Sequence, residues 1–266
     1  MALFKSPEIA GAGVSKDSEN NYRGFVKFFS KFKRAYGKLL SAGLISCLFN
    51  IIFPVSGLGA VGLARVSRLA VRDRHFFISD YFDTIKKNLT QALFMGIINV
   101  ILTGGTAFAV YYIYNDPKGT VNFILLAVAI AAFILANFLT YYTPFVLITF
   151  NVSMGELYKN ALILSFMGFL RSFSILLLHI LTYLIVLFPL LIDIYVGAGI
   201  SICLYIILVP PMRAYITAYH VYPVMYKYMI KPFMEKNPDA KSQTLIELGL
   251  VDNDTESVMS DDIISE

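Results

Sequence analysis

The residues of this chain that could do chemistry are few, and most of them sit inside apolar stretches. Asn50, Asn99 and Asn137 interrupt runs of aliphatic residues, and His179 lies in the stretch Ser174–Val186. Polar or ionisable groups inside such runs either line a pathway for a solute or bond one helix to another. Arg65 and Arg68 stand one helical turn apart and fit either snorkelling to a membrane interface or an anionic partner. His75, His179 and His220 are scattered, and no second histidine or acid recurs at metal spacing. Ser, Thr and Cys never combine with a His and an acid into a nucleophilic triad, and paired carboxylates, H-E-x-x-H and a phosphate-binding P-loop are missing. The sequence therefore predicts no catalytic centre, no metal site and no cofactor. Cys47 and Cys203 both read as small buried hydrophobes.

Gly57-x-Gly59-x-x-Gly62 has the spacing of a dinucleotide fingerprint. That motif works only between a strand and a helix, where backbone amides meet a pyrophosphate. Here an apolar helix ended by Pro54 precedes it, so close helix packing through small residues is the expected role.

These residues must be positioned by helices. The 266 residues are 57% hydrophobic and 15% charged, with a mean hydropathy of +0.67. Soluble domains carry about 25% charged residues. The apolar residues come in blocks long enough to cross a bilayer, which takes about 20 residues. The fold class is all-α, a polytopic bundle. Five clear stretches are expected at about 39–53, 92–114, 121–150, 172–192 and 196–222, with a short second helix at 57–71 after the Pro54 break. Pro210 and Pro211 are expected to break the last stretch. Three amphipathic segments, at about 24–36, 76–91 and 154–171, are expected to lie at the interface. In the first, Phe25, Phe28, Phe29, Phe32 and Tyr36 form an aromatic stripe opposed by lysines. Residues 1–23 read as a disordered segment, 24–232 as the membrane domain and 233–266 as an acidic disordered tail.

Charge sets the topology. The net charge is +4, but residues 1–38 carry eight Lys/Arg against three acids, and 235–266 carry nine acids against two lysines. Cations also crowd 65–91 and 213–241, whereas the intervening turns are nearly free of them. The positive-inside rule then places both termini in the cytoplasm of a multi-pass cell-membrane protein, provided 39–53 and 57–71 form a re-entrant or spanning hairpin. No groove-reading motif accompanies the cations, so the expected partner is the lipid bilayer and not nucleic acid. A weak internal echo is present. A stretch ending near Pro54 or Pro144 leads into an amphipathic segment carrying Lys87-Asn88 or Lys159-Asn160, and then into the next apolar stretch.

The stretch from Ile52 through Pro54, Gly57 and Gly59 to Leu63, followed by Tyr81-Phe82 and by Lys86-Lys87-Asn88 up to Gln91-Ala92, resembles the bacterial YesL-like family of integral membrane proteins. The likeness covers about residues 25–115. It implies a membrane protein with no assigned catalytic residues, and an accessory or regulatory role near carbohydrate uptake, with components of an ABC-type sugar transporter as partners. The segment that carries it, Pro54, Gly57, Gly59, Arg65, Arg68, Lys86, Lys87 and Asn88, is one candidate interaction motif. Asn50, Asn99, Asn137 and His179 form the other candidate set, and they motivate the alternative of a transporter or channel for a small solute.

Overall fold

The computed structural model describes residues 25–52, 55–72, 74, 76–115, 122–150 and 152–236. Pro54, His75, residues 116–121, the segment 1–24 and residues beyond 236 lie outside the described residues. The described chain is helical: α1 (Phe25–Ile51), α2 (Ser56–Val71), α3 (Ile78–Lys87), α4 (Leu89–Tyr114), α5 (Phe123–Thr149), α6 (Met154–Met167), α7 (Phe169–Leu187), α8 (Ile194–Met225) and a short α9 (Lys231–Lys236). A 3-10 turn at Phe188–Leu191 leads into α8, and a π turn at Tyr226–Ile230 follows it.

Four helical stretches are long and apolar enough to cross a membrane: Leu89–Tyr114, Phe123–Thr149, Phe169–Leu191 and Ile194–Phe233. The 39–53 stretch is not among them. It belongs to one unbroken 27-residue helix that also carries Lys31, Lys33, Arg34 and Lys38. The expected separate amphipathic helix at 24–36 is thus the first half of α1. Part of its aromatic stripe packs on protein: Phe28 and Phe32 are buried against Tyr215 of α8, with ring centroids 5.0 and 5.2 Å apart, while Phe29 stays exposed.

The core is built around α2, in which twelve of sixteen residues are buried. A helix enclosed on all sides must be small or apolar all round, and Ser-Gly-Leu-Gly-Ala-Val-Gly-Leu supplies that. Helices α1, α3, α4, α5 and α8 all pack on it. The former fingerprint glycines serve three different contacts. A side chain at Gly57 would collide with the backbone of Ala92 and Gly96, one at Gly59 would press on Ser46, and one at Gly62 would enter the Tyr81 ring. The Ser46 hydroxyl donates to the Gly59 carbonyl at 3.0 Å and lies 2.8 Å from the Tyr81 hydroxyl, tying α1, α2 and α3 together.

Arg68 does not snorkel. It is 1% exposed and donates to Thr149 Oγ1 at 2.8 Å, at the end of α5. Arg65, a turn earlier, is half-buried.

Helix ends follow local chemistry. Ser153 and Glu156 form a reciprocal capping box at the start of α6. The Asp193 carboxylate accepts from the amides of Tyr195 and Val196 to start α8. The third amphipathic segment ends earlier than expected, at Gly168, so Phe169–Arg171 begin the next helix. A Cβ at Gly168 would stand 2.6 Å from the Tyr142 hydroxyl and 2.8 Å from Val224, so the joint needs glycine for space.

Pro210 and Pro211 do not break α8. A proline inside a helix removes the bond to the carbonyl four residues back, and continuity requires another donor for it. For Pro211 that carbonyl belongs to Ile207, and the Tyr36 hydroxyl of α1 donates to it at 3.3 Å. Gly43 of α1 makes room for both rings, with its would-be Cβ 3.0 Å from Pro211 and 3.3 Å from Pro210.

The halves of the long helices differ. Around Tyr141–Thr149 and Tyr215–Met225 they are buried in protein. Elsewhere they expose Ile101, Phe108, Ile124, Leu184, Leu191 and Ile202. Apolar surface of this extent belongs against lipid.

Candidate functional site: a polar cavity among the long helices

Helix α4 packs along α5, and α7 along α8, but the two pairs touch each other sparsely. Between them, closed on another side by α1 and α2, lies a cavity of about 350 Å³. That is at the small end of the range for small-molecule sites, about 300–1,000 Å³. Asn50, Asn99, Asn137 and His179 all line it, each from a different helix. Gly57 lines it as well. The other described members of the interaction motif do not. Gly59 faces Ser46, Arg68 faces Thr149, and exposed Lys86 lies 4.0 Å from Asp83. Asn88, the one-residue joint between α3 and α4, donates to the Thr84 carbonyl at 3.0 Å, and Lys87 is exposed.

The three asparagines play unlike roles. Asn99 is bound on both sides: its amide donates to Thr143 Oγ1 of α5 at 3.0 Å, and its oxygen accepts from the Tyr158 hydroxyl of α6 at 2.8 Å. This side chain fixes three helices. Asn137 donates to the Phe133 carbonyl of its own helix at 2.8 Å, which orients the amide along the wall and leaves α5 unlinked through it. Asn50 lines the rim near the end of α1 and is exposed.

On the α7/α8 side, His179 Nε2 lies 3.3 Å from both the Arg213 carbonyl and Thr217 Oγ1. The Tyr141 ring packs edge-on against the imidazole at 5.2 Å between centroids. Arg213 also lines the cavity. Its Nη1 donates to the Tyr183 hydroxyl at 2.7 Å, and the guanidinium sits 5.5 Å from the centre of that ring. Its Nε is buried and has no hydrogen-bond partner among the described residues. No Asp, Glu or Lys lines the cavity, so Arg213 is its one permanent charge among the described residues.

Pro144 of α5 and Pro210 of α8 both contribute to the lining. Each removes one backbone donor from an otherwise continuous helix beside the cavity.

Arg213, Thr217, Tyr183 and Thr143 are not in the set singled out from sequence. Arg213 was detectable: it is a lone cation well inside a 32-residue apolar helix, about 18 Å along the axis from Met225 at 1.5 Å per residue. The doubled proline before it disguises it as an end marker.

Family models, curated proteins and solved structures give no match to this chain.

Proposed function

We propose that the chain is an integral protein of the cell membrane that binds a small polar solute in this cavity, acting as a transporter or channel. The carrying observation is the convergence of Asn50, Asn99, Asn137, His179 and Arg213 on one space between two loosely associated helix pairs. Structural glue alone accounts for Asn99, but not for a cavity that also holds Asn137, Thr103 and Arg213. The arrangement of the pairs supports the reading too. Each contains a short helix joined through a single residue, Asn88 or Gly168, to a long one (α3 to α4, α6 to α7), an echo of the kind repeat-built transporters contain.

In the topology that goes with this reading, both termini are cytoplasmic and α1–α2 form a membrane hairpin. Gly57 abuts Gly96, about 10 Å along α4 from its start, which supports a re-entrant hairpin over a fully crossing one. Reporter fusions at residues 20, 80, 117 and 240 test it; residue 80 outside with residue 20 inside would sink it.

Function is tested by uptake into liposomes reconstituted with the full chain, using acetate, phosphate, glycerol and glucose as probes. Thr103→Trp, which fills the cavity, should abolish any flux seen with the parent. Flux of none of the four, or flux indifferent to Thr103→Trp, would overturn the reading. The YesL-like resemblance carries a second one, an accessory subunit of carbohydrate uptake. The exposed Lys86/Lys87 face of α3 favours it as a docking surface, and recovery of a sugar permease in mild detergent through that face is its test.

A further inference from the structure

We infer that the solute is a small oxyanion, a carboxylate or a phosphate, held by the Arg213 guanidinium; this rests on the solute-binding reading above. Three observations converge. The cavity wall carries one permanent positive charge and, among the described residues, no carboxylate to balance it. A cation at this depth is retained only with a partner or a function, because leaving it unbalanced in a low-dielectric site is costly. The partner that Arg213 does have is neutral: the Tyr183 phenol on Nη1 and the Tyr183 ring beneath. A phenol oxygen satisfies one of the five guanidinium donors, and the buried Nε is left without a partner among the described residues.

The remaining geometry fits the same ligand. Guanidinium donors present a planar fork that matches carboxylate and phosphate two bonds at a time. Asn137 lines the cavity from the α4/α5 side with one amide N–H left over after the Phe133 carbonyl, while Arg213 acts from the α8 side; Thr103, whose hydroxyl proton goes to the Asn99 carbonyl at 2.7 Å, adds no donor. An anion bound there would bridge the two pairs, which otherwise meet sparsely. A neutral polyol would leave the charge uncompensated, and a cation would meet it head-on.

The test uses the full chain in detergent with Cys47→Ser and Cys203→Ser, carrying Thr103→Cys as a reporter inside the cavity. Modification rates are compared for an anionic and a cationic water-soluble thiosulfonate of similar size. The ratio is normalised to a cysteine at exposed Lys86. The expected result is an anionic preference of about tenfold or more, which is about 1.4 kcal/mol. Arg213→Gln should abolish the preference and Arg213→Lys should keep most of it. Should Arg213→Gln fail to fold, protection in the Arg213 background decides: sodium acetate or phosphate should slow labelling, and equimolar glycerol should not. Equal rates for the two reagents, or protection by glycerol alone, overturn the anion assignment and leave a neutral-solute cavity standing. No labelling by either reagent overturns the cavity reading itself. Protection that appears only on adding phosphatidylglycerol gives the guanidinium to a lipid headgroup and overturns a soluble ligand.

Discussion

Gly57→Ala is the sharpest test of how the bundle is assembled. The added methyl would be driven against the Ala92 carbonyl and would lie 2.7 Å from the Gly96 amide nitrogen and 2.8 Å from its Cα. All three obstacles are backbone, so no rotamer change relieves them, and α2 must move away from α4. Overpacking of this kind costs about 1–3 kcal/mol, and backbone obstacles put this case toward the upper end. For a chain of this size each kcal/mol moves the unfolding temperature by about 2–4 °C, so a fall of about 4–12 °C is expected. Helical circular dichroism on heating in detergent measures it. Gly104→Ala is the control on α4, because a Cβ there meets nothing within 4 Å. It exchanges glycine for the best helix former and should hold or raise the midpoint. A Gly57→Ala midpoint equal to that of the parent would refute the close crossing of α2 and α4.

Three other perturbations test separate contacts. Tyr158→Phe strips the Asn99 side-chain oxygen of its donor and the Met95 carbonyl of the one it has beyond the helix ladder. It should cost about 1–3 kcal/mol in the same melting assay, whereas Tyr112→Phe, on an exposed phenol, should be silent. Tyr36→Phe should destabilise by about 1 kcal/mol in the parent but by little in a Pro211→Ala background, where residue 211 regains the amide that serves Ile207; equal losses in both backgrounds would break the assigned coupling. The third concerns pH. The backbone amide of Ser153, and then its hydroxyl, hold the Glu156 carboxyl below the usual carboxylate range. A depressed carboxyl contributes stability above its unfolded value, about 4.3, and loses it as pH falls through the lower folded value. The melting midpoint should drop over that acidic window in the parent, and Glu156→Gln should flatten that part of the profile.

Composition and periodicity made the long helices legible. Expected stretches at 92–114 and 121–150 correspond to α4 and α5 within three residues at each end, because aliphatic runs of that length leave few alternatives. The joints were harder. A single glycine inside an apolar periodic run does not announce a break, and Gly168 becomes one only because Tyr142 and Val224 fill the space beside it. Pro210-Pro211 reads as a stop under rules for isolated helices, and the rescue comes from a tyrosine far away in sequence. Arg68 was misplaced for a similar reason: a cation beside an apolar run is assumed to reach water, yet Thr149 supplies a buried acceptor. The candidate site was half legible. Asn50, Asn99, Asn137 and His179 stood out as polar residues in apolar runs, but that they share one space is a fact about packing four helices and is not written in any one segment.

The bond from Tyr36 to Ile207 spans 171 residues of chain. A ribosome adding about 5–20 residues per second takes about 10–30 s to cover that interval. During that time the aromatic face of α1, with Phe28 and Phe32, waits in or on the bilayer without the helix that will cover it. Helix α1 is made before α8 yet is completed only with it, and until then its rings lack the cover of Tyr215. A chain cut short before α8 would lack the Tyr215 and Tyr219 rings that cover Phe28, and this face of α1 would stay open.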